Sequence, residues 1–171
     1  MVAVDLNGGI GMNNELLFDC KSDMSRFKKV TEGHFALLAR KTYESLNKPL
    51  RNRINVVLTR NDDYKIDPHL HKDYKILVEH DLHKIINHYR SGENEKNLVC
   101  CGGSELYRQM LPFTDRVFLT LFRHEKEHDT TFPLAYLDEH FNIVYKEEHF
   151  EHGLRFDFID YERKEDVSGG Y

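Results

Sequence analysis

A series of short apolar runs, each bounded by turn residues and followed by a stretch of helical periodicity, limits what this chain can fold into more than any other feature. The runs are "MVAV" at the start, "HFALLA" from His34, "INVVLT" from Ile54, "YKILV" from Tyr74, "NLVCC" from Asn97 and "DRVFLTLF" from Asp115. Several are apolar on both faces, as strands covered by helices on either side must be. Between them, "SDMSRFKKVT" from Ser22, "RKTYESL" from Arg40, "HDLHKIINHYR" from His80 and "SELYRQML" from Ser104 read as helices, with Ser22 and Ser104 suited to N-caps and Gly33 to a C-cap. The alternation holds as far as Leu111 and predicts right-handed crossovers: an α/β fold with a mainly parallel, twisted central sheet and helices on both faces. After that the pattern changes. "FNIVYKEEHF" and "LRFDFIDYERK", joined by "EHG", alternate with period two and predict a C-terminal antiparallel hairpin. One domain over residues 1–164 is expected, and the tail 165–171, "EDVSGGY", is expected to fray.

Composition narrows the function. With 171 residues, 40% hydrophobic and 31% charged, the chain is long enough for one well-buried domain and too short for two. The net charge of -5 comes from acids and bases that alternate along the chain, with no basic block to follow a phosphate backbone, so nucleic acid is not an expected partner. No run nears the roughly 18 apolar residues of a membrane span, and the start lacks the pattern of an export signal. Cys20, Cys100 and Cys101 cannot all pair, and two are adjacent in an apolar run, which suits a reducing cytoplasm. The histidines show no ligand spacing, and no metal is expected.

Three local patterns carry chemistry. In "NLVCCGGSELYRQMLP" an apolar strand runs into Gly102-Gly103 and then a helix. Glycines there let a ligand approach the backbone, and the helix opening offers unpaired N–H groups to a phosphate, although an ordinary tight strand-to-helix turn reads the same way. In "ARKTYESL", Arg40 and Lys41 follow another apolar strand, and Arg60 follows "NVVLT". All three belong at the carboxyl edge of the sheet, where open α/β sheets bind ligands. Three cations there suit a phosphomonoester such as the one that distinguishes NADP from NAD, or are solvated surface charge. Finally, residues 23, 24, 27 and 30 share a helix face, which sets Asp23 among Met24, Phe27 and Val30. An ionised carboxylate on an apolar face needs a partner, unless Asp23 only favours the first turn of its helix.

Taken in order, "VAVDLNGGIGMNNELLF", "SDMSRFKKVTEGH", "ARKTYESLNKPLRNRINVVLTR", "CCGGSELYRQMLP", "VFLTLF" and "HDTTFP" resemble the dihydrofolate reductase family across nearly the whole chain. The resemblance implies NADPH-dependent hydride transfer to C6 of 7,8-dihydrofolate with protonation at N5. It also implies a cytoplasmic monomer that binds folate and antifolates. Asp23 would be the only ionisable side chain in the pterin pocket, holding the 2-amino group and N3, with Thr120 bonded to its carboxylate. Phe27 would pack on the pterin and benzoyl rings, Met24, Leu46 and Leu50 would line the benzoyl slot, and Arg53 would grip the glutamate α-carboxylate, a task for a planar fork. Ala3 and Cys101 would touch both substrate and cofactor. The cofactor side would also take Ile10, Phe18, Arg40, Lys41, Thr42, Thr59, Arg60, the cis-linked pair Gly102 and Gly103, Ser104, Leu106 and Tyr107.

The chain departs from the family pattern in three places. The active-site loop carries Leu16, Leu17 and Phe18 where Leu-Pro-Trp is usual, which removes an indole N–H and a proline constraint. Ala39 stands where Gly-Arg-x-Thr has glycine. The first strand usually has about four more residues ahead of the position of Met1, so the α-amino group is expected near the pterin pocket. Two other readings share the fold: a pyrimidine reductase of riboflavin synthesis, and a catalytically weak folate- or NADPH-binding protein. The match of Asp23, Phe27 and Arg53 to the folate half argues against the first.

Overall fold

In two neighbouring parallel strands, β4 (Phe35–Ala39) and β5 (Ile54–Leu58), the period-two alternation of side chains decides what each face of the sheet meets. Phe35, Leu37 and Val56 point to one side and pack with Ile85 and Ile86 of α3 (Leu82–Arg90) and with Leu106 and Met110 of α4 (Ser104–Met110). Leu38 and Val57 point to the other side, against Tyr43 of α2 (Arg40–Glu44). The structure, a computed structural model, describes residues 1–67, 69, 71–90 and 95–165. Most of the tail expected to fray therefore lies outside the described residues.

The strands form two four-stranded sheets. One is wholly parallel, in the order β6-β5-β4-β7, with β6 at Lys75–Glu79 and β7 at Leu98–Cys100. The other has the order β1-β8-β11-β10. In it β1 (Val2–Val4) runs parallel to β8 (Arg116–Phe122), while β10 (Phe141–Glu151) and β11 (Leu154–Arg163) form the C-terminal hairpin on its antiparallel side. The hairpin turns on His152 and Gly153, both at positive φ (47° and 83°), as a two-residue loop between right-twisting strands requires. No ladder joins β1 to β7 among the described residues. Instead the amino terminus of Met1 donates to the Cys100 carbonyl at 2.9 Å, and the Met1 carbonyl accepts the Tyr107 hydroxyl at 2.8 Å. A small antiparallel sheet, β3-β2-β9 (Glu15–Leu16, Gly9–Met12 and Thr130–Thr131), stands beside them.

Alternation also sorts β8 and β11. Val117, Leu119, Ile159 and Tyr161 join Val2, Val4 and Leu137 of α5 (Leu134–His140) in the largest core cluster. Thr120, Phe122, Phe156 and Phe158 face the opposite way, toward α1 (Lys21–Thr31), which carries the acid singled out in the sequence.

The expected N-caps need correcting. The N-cap of α1 is Cys20 and that of α4 is Gly103; Ser22 and Ser104 lie inside their helices. At α1 the free N–H groups are taken by a carboxylate from the end of β10: Glu151 accepts from the Lys21 N–H at 2.8 Å, the Ser22 N–H at 3.1 Å and the Ser22 hydroxyl. A charged acceptor at the positive end of a helix outcompetes a neutral serine oxygen. The Ser104 hydroxyl donates instead to the Thr131 carbonyl at 2.5 Å. Gly33 sits one residue past the C-cap Glu32 with φ +80°, a left-handed geometry that favours glycine.

Candidate active site

Asp23 lies in the first turn of α1 with 9% of its surface exposed, and the fully buried Thr120 hydroxyl donates to its Oδ1 at 2.6 Å. Thr120 is held in mid-strand of β8, opposite Ala3 of β1 and Phe158 of β11. Burial pushes the Asp23 carboxyl above its ordinary value, while the Thr120 hydroxyl and the charge of Arg26 pull it down. A carboxylate in this position is able to accept paired hydrogen bonds from a flat, amidine-like heterocycle.

One turn along, Phe27 is half-buried, with the Arg53 guanidinium carbon 5.9 Å from its ring centre. Arg53 is 9% exposed and fixed by three acceptors: Thr31 Oγ1 at 2.9 Å, the Arg51 carbonyl at 2.6 Å and the Lys28 carbonyl at 3.3 Å. Leu46 and Leu50 pack on the cluster of Leu38, Tyr43 and Val57, together with Cys101. Met24 is 48% exposed. Burial pushes the Cys101 thiol up to about 12, so it is a neutral, apolar wall rather than a nucleophile.

The residues assigned to a cofactor gather where β4, β5 and β7 end. These strands are parallel, so their carboxyl ends share one edge. Arg40, Lys41 and Thr42 open α2, Thr59 and Arg60 follow β5, and Gly102-Gly103 follows β7 with a cis peptide between the glycines. The Ala39 N–H donates to the Gly102 carbonyl at 2.8 Å, tying two of these segments together. A Cβ on Gly103 would meet Thr42 Oγ1 at 3.1 Å, and one on Gly102, whose φ is +105°, would press on the Tyr107 ring at 3.2 Å. The glycine pair thus lets Thr42 and Tyr107 pack closely against it and leaves bare backbone at this edge. Lys41 and Arg60 are exposed, while Arg40 pairs with Glu44 at 3.0 Å. Leu106 departs from expectation: at 3% exposure its side chain belongs to the core under α3, so only its backbone is left for a ligand. The Ser104 hydroxyl is likewise engaged, since Arg108 donates to it at 2.6 Å.

Ile10, half-buried in β2, packs against the core cluster that includes Tyr107. In the loop before α1, Phe18 stacks on Phe122 with ring centres 4.1 Å apart and an interplanar angle of 16°. Lys126 pins the same loop, its Nζ 2.5 Å from the Leu17 carbonyl and 4.6 Å from the Phe18 ring centre.

Several supporting residues escaped the sequence reading. Asn55, fully buried in β5, accepts from the Leu50 N–H and donates to the Leu50 carbonyl, both at 2.9 Å, and so fixes the backbone of Leu50, expected from the family resemblance to line the benzoyl slot. An amide in the middle of "INVVL" was the available signal. Asp5, also fully buried, accepts from the N–H groups of Asn7, Gly9 and Lys126 at 2.9, 2.7 and 3.0 Å, and joins the first turn to the loop carrying Lys126. Arg26, on the helix of Asp23, pairs with Asp160 of β11 and donates to the Leu119 carbonyl at 2.8 Å. Its signal was the period-two pattern that puts Asp160 on the face of Phe156 and Phe158.

The sequence profile of the family described as dihydrofolate reductase matches residues 1–163. The dihydrofolate reductase of Bacillus subtilis (strain 168) is 31% identical over 171 residues, covering 98% of this chain and 95% of its own. That of Staphylococcus haemolyticus is 31% identical over 155 residues, covering 91% and 84%. Among solved structures, dihydrofolate reductase from Enterococcus faecalis, complexed with NADP(H) and RAB-propyl, superimposes with a TM-score of 0.84 at 27% identity, covering 96% of this chain and 94% of that one. The family profile, the curated relatives and the solved structure agree: the chain belongs to the dihydrofolate reductase family.

Proposed function

We infer that this chain reduces 7,8-dihydrofolate to tetrahydrofolate at the expense of NADPH, with the residue roles that its geometry supports. The observation that carries this reading is the buried Asp23 carboxylate with Thr120 on one oxygen. Bound at the carboxyl edge of β4, β5 and β7, NADPH supplies the hydride. Asp23 orients the pterin by accepting from its 2-amino group and N3, and its negative charge raises the basicity of N5. Because an acid bonded at N3 lies too far from N5 to hand over a proton itself, ordered solvent delivers it. Thr120 holds the carboxylate in place, Phe27 packs on the rings, and Arg53 presents its guanidinium to the glutamate α-carboxylate. Gly102-Gly103 admits the pyrophosphate, with Arg40, Thr42 and Arg60 at the adenosine end.

A monomer in a reducing cytoplasm belongs to the same reading. Cys20, Cys100 and Cys101 are free. The exposed edge strand β10 follows Ile143, Val144 and Tyr145 with Lys146, Glu147 and Glu148, charges that discourage edge-to-edge pairing. Among the described residues no helix is long and apolar enough to cross a membrane.

The test is loss of near-ultraviolet NADPH absorbance on adding dihydrofolate, with methotrexate as inhibitor. Turnover abolished by methotrexate supports the reading; binding of both ligands without turnover would replace it with that of a binding protein.

A further inference from the structure

We propose that Arg26, anchored by Asp160, is a positioning residue that sets the pH at which the Asp23 carboxyl ionises, and with it the pH range of hydride transfer. Arg26 follows Asp23 by three residues on the same helix, so the two side chains rise from neighbouring turns on one face. Its side chain is only 11% exposed. Several contacts fix it: the ion pair to Asp160, the hydrogen bond to the Leu119 carbonyl next to Thr120, and the ring of Phe158 with its centre 4.5 Å from the guanidinium carbon. The Phe118 ring lies a further step out, at 5.9 Å. A cation held this firmly beside a buried acid acts as a fixed charge in a medium that screens weakly, which a solvated surface arginine cannot do.

The groups that face Asp23 directly do not offset this charge; the one anion paired with Arg26 is Asp160. Facing Asp23 are Cys20 from the start of its own helix, Thr120 from β8 and the Tyr107 hydroxyl from α4, and all three are neutral at physiological pH. Facing Arg26 are Asp160 from β11 and Tyr145 from β10. Glu151 reaches the first turn from the hairpin but is occupied by the backbone of Lys21 and Ser22. Arg26 is therefore the one cation among these neighbours, and Asp160 decides how much of its charge Asp23 feels. Burial raises the Asp23 carboxyl and the charge of Arg26 opposes that rise, so the two together determine where ionisation falls.

The proposal rests on the reading of Asp23 as the pterin-binding acid, and it makes two charge changes act in opposite directions. Arg26→Gln should raise the ionisation midpoint of Asp23 by about half a unit or more, and Asp160→Asn should lower it. Arg26→Lys, which keeps the charge, should restore a value near that of the parent. The double variant Arg26→Gln with Asp160→Asn leaves no unpaired charge and should fall between the single variants; it serves if either single variant folds poorly. The measurement is the ¹³C carboxyl titration of aspartate-labelled protein without ligands, with the Asp23 resonance identified by its loss in Asp23→Asn. The pH profile of single-turnover hydride transfer should shift in the same sense. Opposite displacements in the two single variants support the inference even if turnover proves absent, an outcome that would sink the enzymatic reading alone. Equal midpoints in both variants, or displacements in one direction, overturn it.

Discussion

The two halves of the candidate site are built differently. On the folate side the three charged groups singled out are at least partly buried and tied down: Asp23 to Thr120, Arg53 to Thr31 and two carbonyls, Arg26 to Asp160. On the cofactor side Lys41 and Arg60 are exposed, and Arg40 spends its charge on Glu44, a neighbour at i+4 in the same helix. The first half is preorganised, with groups that lose solvation once, on folding; the second leaves its cations in water, where salt screens them and side chains adapt. Single substitutions should therefore have large, specific consequences near α1 and small, graded ones at the edge of β4, β5 and β7.

The largest effect is expected at Asp23. In Asp23→Asn the hydride-transfer rate at neutral pH should fall at least about tenfold with NADPH binding nearly intact, because an amide cannot support the charge that favours N5 protonation. Stability should move the opposite way. The folded state holds the Asp23 proton more tightly than the unfolded chain does, so the parent protein loses stability as pH rises from the ordinary carboxyl range through the raised value. The variant lacks that loss and should melt higher at neutral pH, with the gain vanishing in acid. Thermal melts across pH check this, and a variant that melts lower at every pH would show that Asp23 is a structural acid.

Next comes Arg53. Arg53→Lys keeps the charge but loses the fork, and the KM for dihydrofolate should rise at least about tenfold with kcat little changed, because the interaction is the same in ground and transition states. A matching fall in kcat would place Arg53 in the chemical step and break the proposed division of labour. On the other half, Arg60→Ala should reduce the preference for NADPH over NADH only about threefold to tenfold, and less at high salt, as suits an exposed cation. A loss as large as that of Asp23→Asn would show that the cofactor half is as preorganised as the folate half. The smallest effect is expected from Leu17→Pro with Phe18→Trp: a change within about threefold in product release, with substrate affinity unchanged, since lid steps often limit turnover. Equal pre-steady-state and steady-state rates in parent and variant would show the loop sequence to be neutral.

What could be read from sequence follows the range of the interactions. Strands β4, β5, β7 and β8 announce themselves because each is a local apolar run, and the acid of Asp23 is conspicuous because its conflict with Met24, Phe27 and Val30 lies within one helix. Strands of two residues, such as Glu15–Leu16 and Thr130–Thr131, have no periodicity to detect. Helix α5, with only seven residues after Pro133, is nearly as quiet. The capping of α1 by Glu151 and the pairing of Arg26 with Asp160 were hidden for another reason. Each joins residues well over a hundred positions apart, and only the registers of β10 against β11 and of β11 against β8 bring them together. Read singly, Glu151 and Asp160 are two more charges on an alternating hairpin. The serine at position 22 misled because local capping preference is weak beside a carboxylate delivered by tertiary structure.

The clasp between the last hairpin and the first helix also fixes an order of events during synthesis. Asp23 leaves the ribosome early, yet its helix start waits for residue 151 and its companion arginine for residue 160. Until then the nascent chain can form the local β4–α2–β5 crossover, but the acid of Asp23 stands on a helix with nothing to close against. Such distant closure is entropically slow, so acquisition of folate binding should lag behind burial of the parallel sheet. A chain stalled before the hairpin emerges would be partly folded and blind to its substrate.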